Sequence, residues 1–273
     1  MPPSSSDVSW MRRWGVMVVV GALGGLISGA FGVGGGIVVV PLLVALAKMD
    51  QRTAAATSLA AIVPTALAGA VTYLSRGQAD LVIAALLAVG GVAGSWLGVH
   101  LLHRLPLHVL RWMFVGLLVL VAARMVTAIP SRGSELSLTV PTLLLFLAIG
   151  LVMGLTAGLF GVGGGIVVVP ALVVLVGVGD LLAKGTSLLV MVPTTLAGTF
   201  ANVRRGMVDL RAALLVGVSA TAASFAGVYI AFVIPARLSS VLFAALVLLT
   251  AAQMAWREIR QARPPRPEAE PAT

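Results

Sequence analysis

The eleven residues FGVGGGIVVVP at 31–41 return unchanged at 160–170, and the repetition extends far beyond them. An offset of 129 residues aligns the chain from Gly25 to Leu118 with its second half without a gap. TSL at 57–59 meets TSL at 186–188, VPT at 63–65 meets VPT at 192–194, and LAG at 67–69 meets LAG at 196–198. Arg76, Gly77, Asp80 and Leu81 meet Arg205, Gly206, Asp209 and Leu210. A chain written this way folds as two copies of one unit.

Each copy is a series of apolar runs, at about 15–47, 53–75, 81–102 and 109–128, then 140–178, 182–203, 209–232 and 238–256. Hydrophobic residues make up 59% of the 273 and charged ones 10%, too little polar surface for a soluble domain of this size. About 20 apolar residues cross roughly 30 Å of hydrocarbon, so the runs are of spanning length. In lipid every backbone amide is satisfied internally, and the alternation of a barrel strand is absent, so the runs are helices. The expected fold class is an all-α integral membrane protein. Its single membrane domain, 15–256, comprises repeats 15–128 and 140–256. A cytoplasmic segment, 1–14, precedes it, and a basic Pro-rich cytoplasmic tail, 257–273, follows.

The basic residues ahead of the first run resemble a secretory leader. The residues after Gly24 match those after Met153, however, so the first run belongs to the mature fold. The net charge of +9 is spread singly or in pairs between runs, which reads as topology and not as a nucleic-acid surface. Tail residues Arg257, Arg260, Arg263 and Arg266 suit contact with anionic lipid headgroups. With no cysteine, disulfides and thiolate chemistry are excluded.

The first run of each half is too long for one crossing: as one straight helix, its 33 residues would measure about 50 Å. It must break, and Gly32 with Gly34, Gly35 and Gly36 supplies the break, because glycine adopts backbone angles other residues avoid. Pro41 and its counterpart Pro170 fit the first turns of the helix that follows. A kink would give two parallel repeats, and a hairpin gives inverted ones. Loop charges favour inversion. Lys48 and Arg52 correspond to a loop holding only Lys184, and Arg76 to one holding Arg204, Arg205 and Arg211. Arg104 and Arg111 correspond to Arg237 alone. The expected architecture is two inverted repeats, each a Gly-broken helical hairpin followed by three transmembrane helices.

Two broken helices meeting near mid-membrane make the kind of site transporters use. Helix starts after Gly34, Gly35 and Gly36, and after Gly163, Gly164 and Gly165, offer unpaired amides and the positive dipole end to an anion. Thr65 and Thr194 lie at similar depth as further donors; Thr57, Ser58, Thr186 and Ser187 lie shallower, along an access path. Pro64 and Pro193 are candidate hinges with Pro41 and Pro170. The plainer reading makes the glycines close-packing residues and the hydroxyls partners of their own helices. A dinucleotide fingerprint fails, because its third glycine would fall on Ile37. No acid falls in mid-span and His100, His103 and His108 gather round one loop, so neither an enzyme, a metal site nor a cofactor is expected.

The paired FGVGGGIVVVP segments, each followed by TSL and then by PT with LAG, resemble the sulfite exporter TauE/SafE family of bacterial membrane transporters. The resemblance covers nearly the whole chain. It implies a multi-pass protein of the bacterial inner membrane that exports or otherwise moves small sulfur-containing anions, such as sulfite, thiosulfate or an organosulfonate, with an ion gradient such as that of H+ as the drive. Alternating access between the halves is the expected mechanism, and both termini are expected in the cytoplasm. A passive anion channel and a non-transporting membrane scaffold are the competing readings.

Overall fold

The computed structural model describes residues 5–127 and 140–261. Residues 1–4, the linker 128–139 and the tail from 262 lie outside the described residues, and with them most of the expected Pro-rich tail. Ten helices follow in order: α1 (Ser5–Phe31), α2 (Gly36–Leu46), α3 (Gln51–Ser75), α4 (Leu81–Arg104), α5 (Leu107–Thr127), α6 (Val140–Phe160), α7 (Gly165–Leu175), α8 (Asp180–Val203), α9 (Leu210–Val233) and α10 (Ala236–Gln261). Seven of them are long and apolar enough to cross a membrane. The sequence expectation places every break within a few residues. The differences lie at the ends, where α1 begins at Ser5, inside the expected N-terminal segment, and α10 runs on to Gln261.

The first run of each half breaks at its glycines. Gly32, Gly34 and Gly35 have φ of 69°, 84° and 69°, and Gly161, Gly163 and Gly164 have 69°, 84° and 83°, all in the left-handed region. Beyond the break α2 runs back along α1: Val20 packs in one apolar cluster with Val39, Val40 and Leu43, and Gly35 lies against the Gly24 backbone. In the second half Gly164 lies against the Met153 backbone in the same way. At 11 residues, α2 and α7 measure about 16 Å, about half of the roughly 30 Å of hydrocarbon in a bilayer. Prolines 41, 64, 170 and 193 all sit inside helices that continue past them.

The most extensive helix contacts join the two halves: α4 with α6 and α1 with α9. Gly90, Gly94 and Gly98 of α4 meet α6 backbone at Leu147, Leu151 and Leu155 in turn, and Gly150, Gly154 and Gly158 return the contact, so the two helices run parallel. Likewise Gly21, Gly25 and Gly29 of α1 meet Val216, Ala220 and Ser224 of α9 in the same direction. Contacts of Gly91 with Thr194 and of Gly198 with Ser95 make α8 parallel to α4. Gly69 with Leu188, and Gly198 with Leu59, make α3 antiparallel to α8. Small residues at every fourth position let backbones touch, which in lipid replaces the hydrophobic effect as the source of association. Gly94→Leu or Gly154→Leu is therefore expected to separate α4 from α6, at a cost of roughly 1–3 kcal/mol or more. The check is thermal unfolding of the variant in detergent; a midpoint equal to wild type would count against this contact.

Three of the acids at run boundaries are helix caps. Asp50, Asp80 and Asp209 each accept hydrogen bonds from two amides at the start of α3, α4 and α9. Partial burial opposes the charge on Asp50, but bonds from Thr53 and Arg52 outweigh it and hold the carboxyl below its ordinary range.

Candidate functional site

The two glycine turns meet. Gly36 lies against the Gly161 carbonyl and Val162, and Gly165 lies against the Gly32 carbonyl and Val33. A Cβ at Gly36 or at Gly165 would overlap the backbone of the opposing turn. Gly34, Gly35, Gly36, Gly163, Gly164 and Gly165 are all buried. Val38 and Val39 amides return to the Gly35 carbonyl, and Val167 and Val168 amides to that of Gly164, so the first donors of α2 and α7 are those of Gly36, Ile37, Gly165 and Ile166.

The space in front of the turns is filled. The terminal methyl of Met191 sits against both Gly34 and Gly163, and the Ile62 side chain against Gly34, Gly36 and Gly163. Both residues are buried, and they occupy corresponding positions of the two repeats. The sequence expectation of an anion between the turns therefore requires these two side chains to withdraw.

All six expected hydroxyls are buried, and each is engaged with backbone. Ser58 donates to the Gly161 carbonyl and Ser187 to the Gly32 carbonyl, both at 2.9 Å, so each serine ties one half to the other half's turn. Thr57 accepts from the Asp209 amide and Thr186 from the Asp80 amide, fastening the opposite half's loops. Thr65 and Thr194 donate to their own helices, at Ala61 and Val190. A hydroxyl has one proton to give, so any of the four serving an anion must first leave its carbonyl. Phe31 and Phe160 pack at a tilt against Phe243 and Phe114.

One charged residue that the sequence assigned to a loop lies in the core. Lys184 is 1% exposed, its Cα beside Gly32, with Nζ 2.6 Å from Asp180 Oδ2 and 2.7 Å from Ser239 Oγ. Its nitrogen is 6.0 Å from the Phe31 ring centroid. A buried ammonium is costly without partners, and inside a membrane it points to function. The signal was available: the 129-residue offset pairs Lys184 with Ala55, between the matching Ala54 and Ala183 and the matching TSL of 57–59 and 186–188. At the far end of α8 the basic groups take other partners. Arg205 donates to the Val99 carbonyl and lies 3.2 Å from His100 Nδ1, and Arg52 donates to the Leu105 carbonyl.

Helices of spanning length, packed through small residues around two short helices that start at glycine breaks, define a multi-pass membrane protein. The chain matches the family described as sulfite exporter TauE/SafE over residues 2–125 and 146–273, and it belongs to that family. It is 29% identical over 199 residues to the probable membrane transporter protein YdhB of Bacillus subtilis, covering 71% of this chain and 80% of that one. A probable membrane transporter protein of Xylella fastidiosa is 27% identical over 251 residues, 89% of this chain and 95% of its own length. One from Haemophilus influenzae is 31% identical over 167 residues, 57% and 61% of the two chains. No solved structure is a significant match.

Proposed function

We propose that this protein is a secondary transporter that carries a small sulfur-containing oxyanion, such as sulfite, thiosulfate or an organosulfonate, across the bacterial cytoplasmic membrane by alternating access, in the direction of export. The observation that carries the reading is the direct meeting of the two glycine turns, which brings the starts of α2 and α7 together at the centre of the protein. The donors would be the amides at Gly34, Gly35, Gly36, Gly163, Gly164 and Gly165, with Thr65, Thr194, Thr57, Ser58, Thr186 and Ser187 around them. Pro41, Pro170, Pro64 and Pro193 would be the hinges.

Helix directions support an inverted pair of repeats. Helix α1 is parallel to α9, and contacts of Pro64 with Gly217 and of Gly69 with Ser224 align α3 with both. Helix α3 opposes α8, which is parallel to α4 and α6, so α1 and its counterpart α6 run in opposite senses. The basic loop residues Arg52, Arg104, Arg111, Arg204, Arg205 and Arg211 would then share one face, the cytoplasmic one, with both termini. Because the main contacts join the halves, the bodies that move would be mixed groups such as α1 with α9 and α4 with α6, in place of one whole half against the other. The packing of Ile62 and Met191 between the turns favours a gated carrier over an open pore.

The test is flux of sulfite, thiosulfate, sulfoacetate and chloride into proteoliposomes, with and without an imposed proton gradient. Saturable flux of a sulfur oxyanion is expected, raised by the gradient. Conduction that never saturates would favour the channel, and no flux of any anion would favour the scaffold. Cysteines placed beside Arg104 and beside Arg237 should label from opposite faces of the membrane; labelling from one face would restore the parallel arrangement.

A further inference from the structure

A cavity of about 320 Å³ opens at the end of the protein where α8 and α10 begin, with Gln78, Asp180, Phe232 and Ala236 among its walls. Behind Asp180 lie Lys184 Nζ and Ser239 Oγ. Ser187, one turn further along α8, bonds the Gly32 carbonyl, so the ammonium stands between the cavity and the glycine turns. Arg76 puts a second positive charge against one wall residue, its guanidinium 4.4 Å from the Phe232 ring centroid.

We propose that Lys184 and Ser239 form an outer anion-binding site, and that the Asp180 carboxylate occupies it in the present structure as an internal stand-in for a small oxyanion. The inference rests on the reading of the protein as an anion carrier. Three observations favour it over a salt bridge kept for stability. The duplication supplies the internal control: position 55 corresponds to 184 and holds alanine, and there Ala55 meets Gly161 just as Lys184 meets Gly32. The same fold is thus built without the charge. Positions 51 and 110, which correspond to Asp180 and Ser239, hold Gln51 and Leu110, so the whole arrangement exists in one half only. Finally, the side chain of Asp180 is 14% exposed and borders the cavity, so it can swing to water while Lys184, at 2%, stays. Two oxygens of an incoming anion would then take the ammonium and the Ser239 hydroxyl in charge-assisted geometry. A cavity of this size admits ions of a few heavy atoms.

The experiment titrates thiosulfate, against gluconate at equal ionic strength, into the purified full-length protein in detergent and reads the thermal unfolding midpoint. Wild type should rise with thiosulfate. Asp180→Asn removes the internal competitor and should reach half its rise at roughly tenfold lower thiosulfate, whereas Lys184→Ala and Ser239→Ala should need at least roughly tenfold more. The repeat's own Ala55 indicates that Lys184→Ala folds, and Lys184→Gln provides a second variant of similar length. Thiosulfate affinity unchanged in Lys184→Ala and Lys184→Gln overturns the outer site and leaves the carrier reading intact. An unchanged or weakened response in Asp180→Asn overturns the stand-in role of the carboxylate. If thiosulfate shifts no variant and no anion crosses in the flux assay, the carrier reading fails and takes the outer site with it.

Discussion

Gly35→Val and Gly164→Val are expected to abolish anion flux in proteoliposomes while leaving a folded, less stable protein. Two costs coincide at these positions. A left-handed backbone costs an L-residue about 1–2 kcal/mol, and valine adds overlap with the Gly24 backbone or with Met153, at roughly 1–3 kcal/mol. The sum is smaller than a typical folding free energy of about 5–15 kcal/mol, so the fold survives with its turn displaced. The turns touch, so displacing one moves the other. Gly77 and Gly206 supply the control: their φ values, 66° and 65°, carry the same backbone strain, but no atom lies within 4 Å of a Cβ built there. Gly77→Ala should lose only the strain term and keep its flux. Equal flux in Gly35→Val and Gly77→Ala would remove the turns from the transport path.

Removing the side chains between the turns should have the opposite effect. Met191→Ala combined with Ile62→Ala empties the space against Gly34 and Gly163, and flux should rise and cease to saturate, chloride included. Each truncation of a buried chain of this size costs about 2–5 kcal/mol, so the single variants are the safer first measurement. Saturable, wild-type flux in a folded double variant would mean that these residues pack the centre without closing it.

The duplication, the helices and their breaks were legible in the sequence because each has a local cause. Apolar runs of spanning length and clustered glycines demand helices and turns wherever they occur. That the two turns touch also followed in outline, once both halves were placed in one membrane. The filling of the centre was not legible: Ile62 and Met191 are apolar residues inside apolar runs, and nothing local marks them. The use of the hydroxyls was hidden for another reason. Ser58, Ser187, Thr57 and Thr186 each bond a backbone group of the opposite half, and such pairings depend on how the halves interlock. Lys184 was misplaced because a charge four residues from a helix start looks like a loop charge. Its misfit with Ala55 across the repeat was the sign to follow.

The parallel pairing of α1 with α9 and of α4 with α6 also bears on how the protein is made. A nascent chain leaves the ribosome with α1 and α4 already inserted, while their glycine-lined faces have no partner until the second half arrives. Those faces must wait in lipid or against a helper, and an arrested chain ending after α5 would expose them. Assembly is therefore a late, collective event, and a gene fragment encoding one half should be a poor starting point for a stable membrane protein.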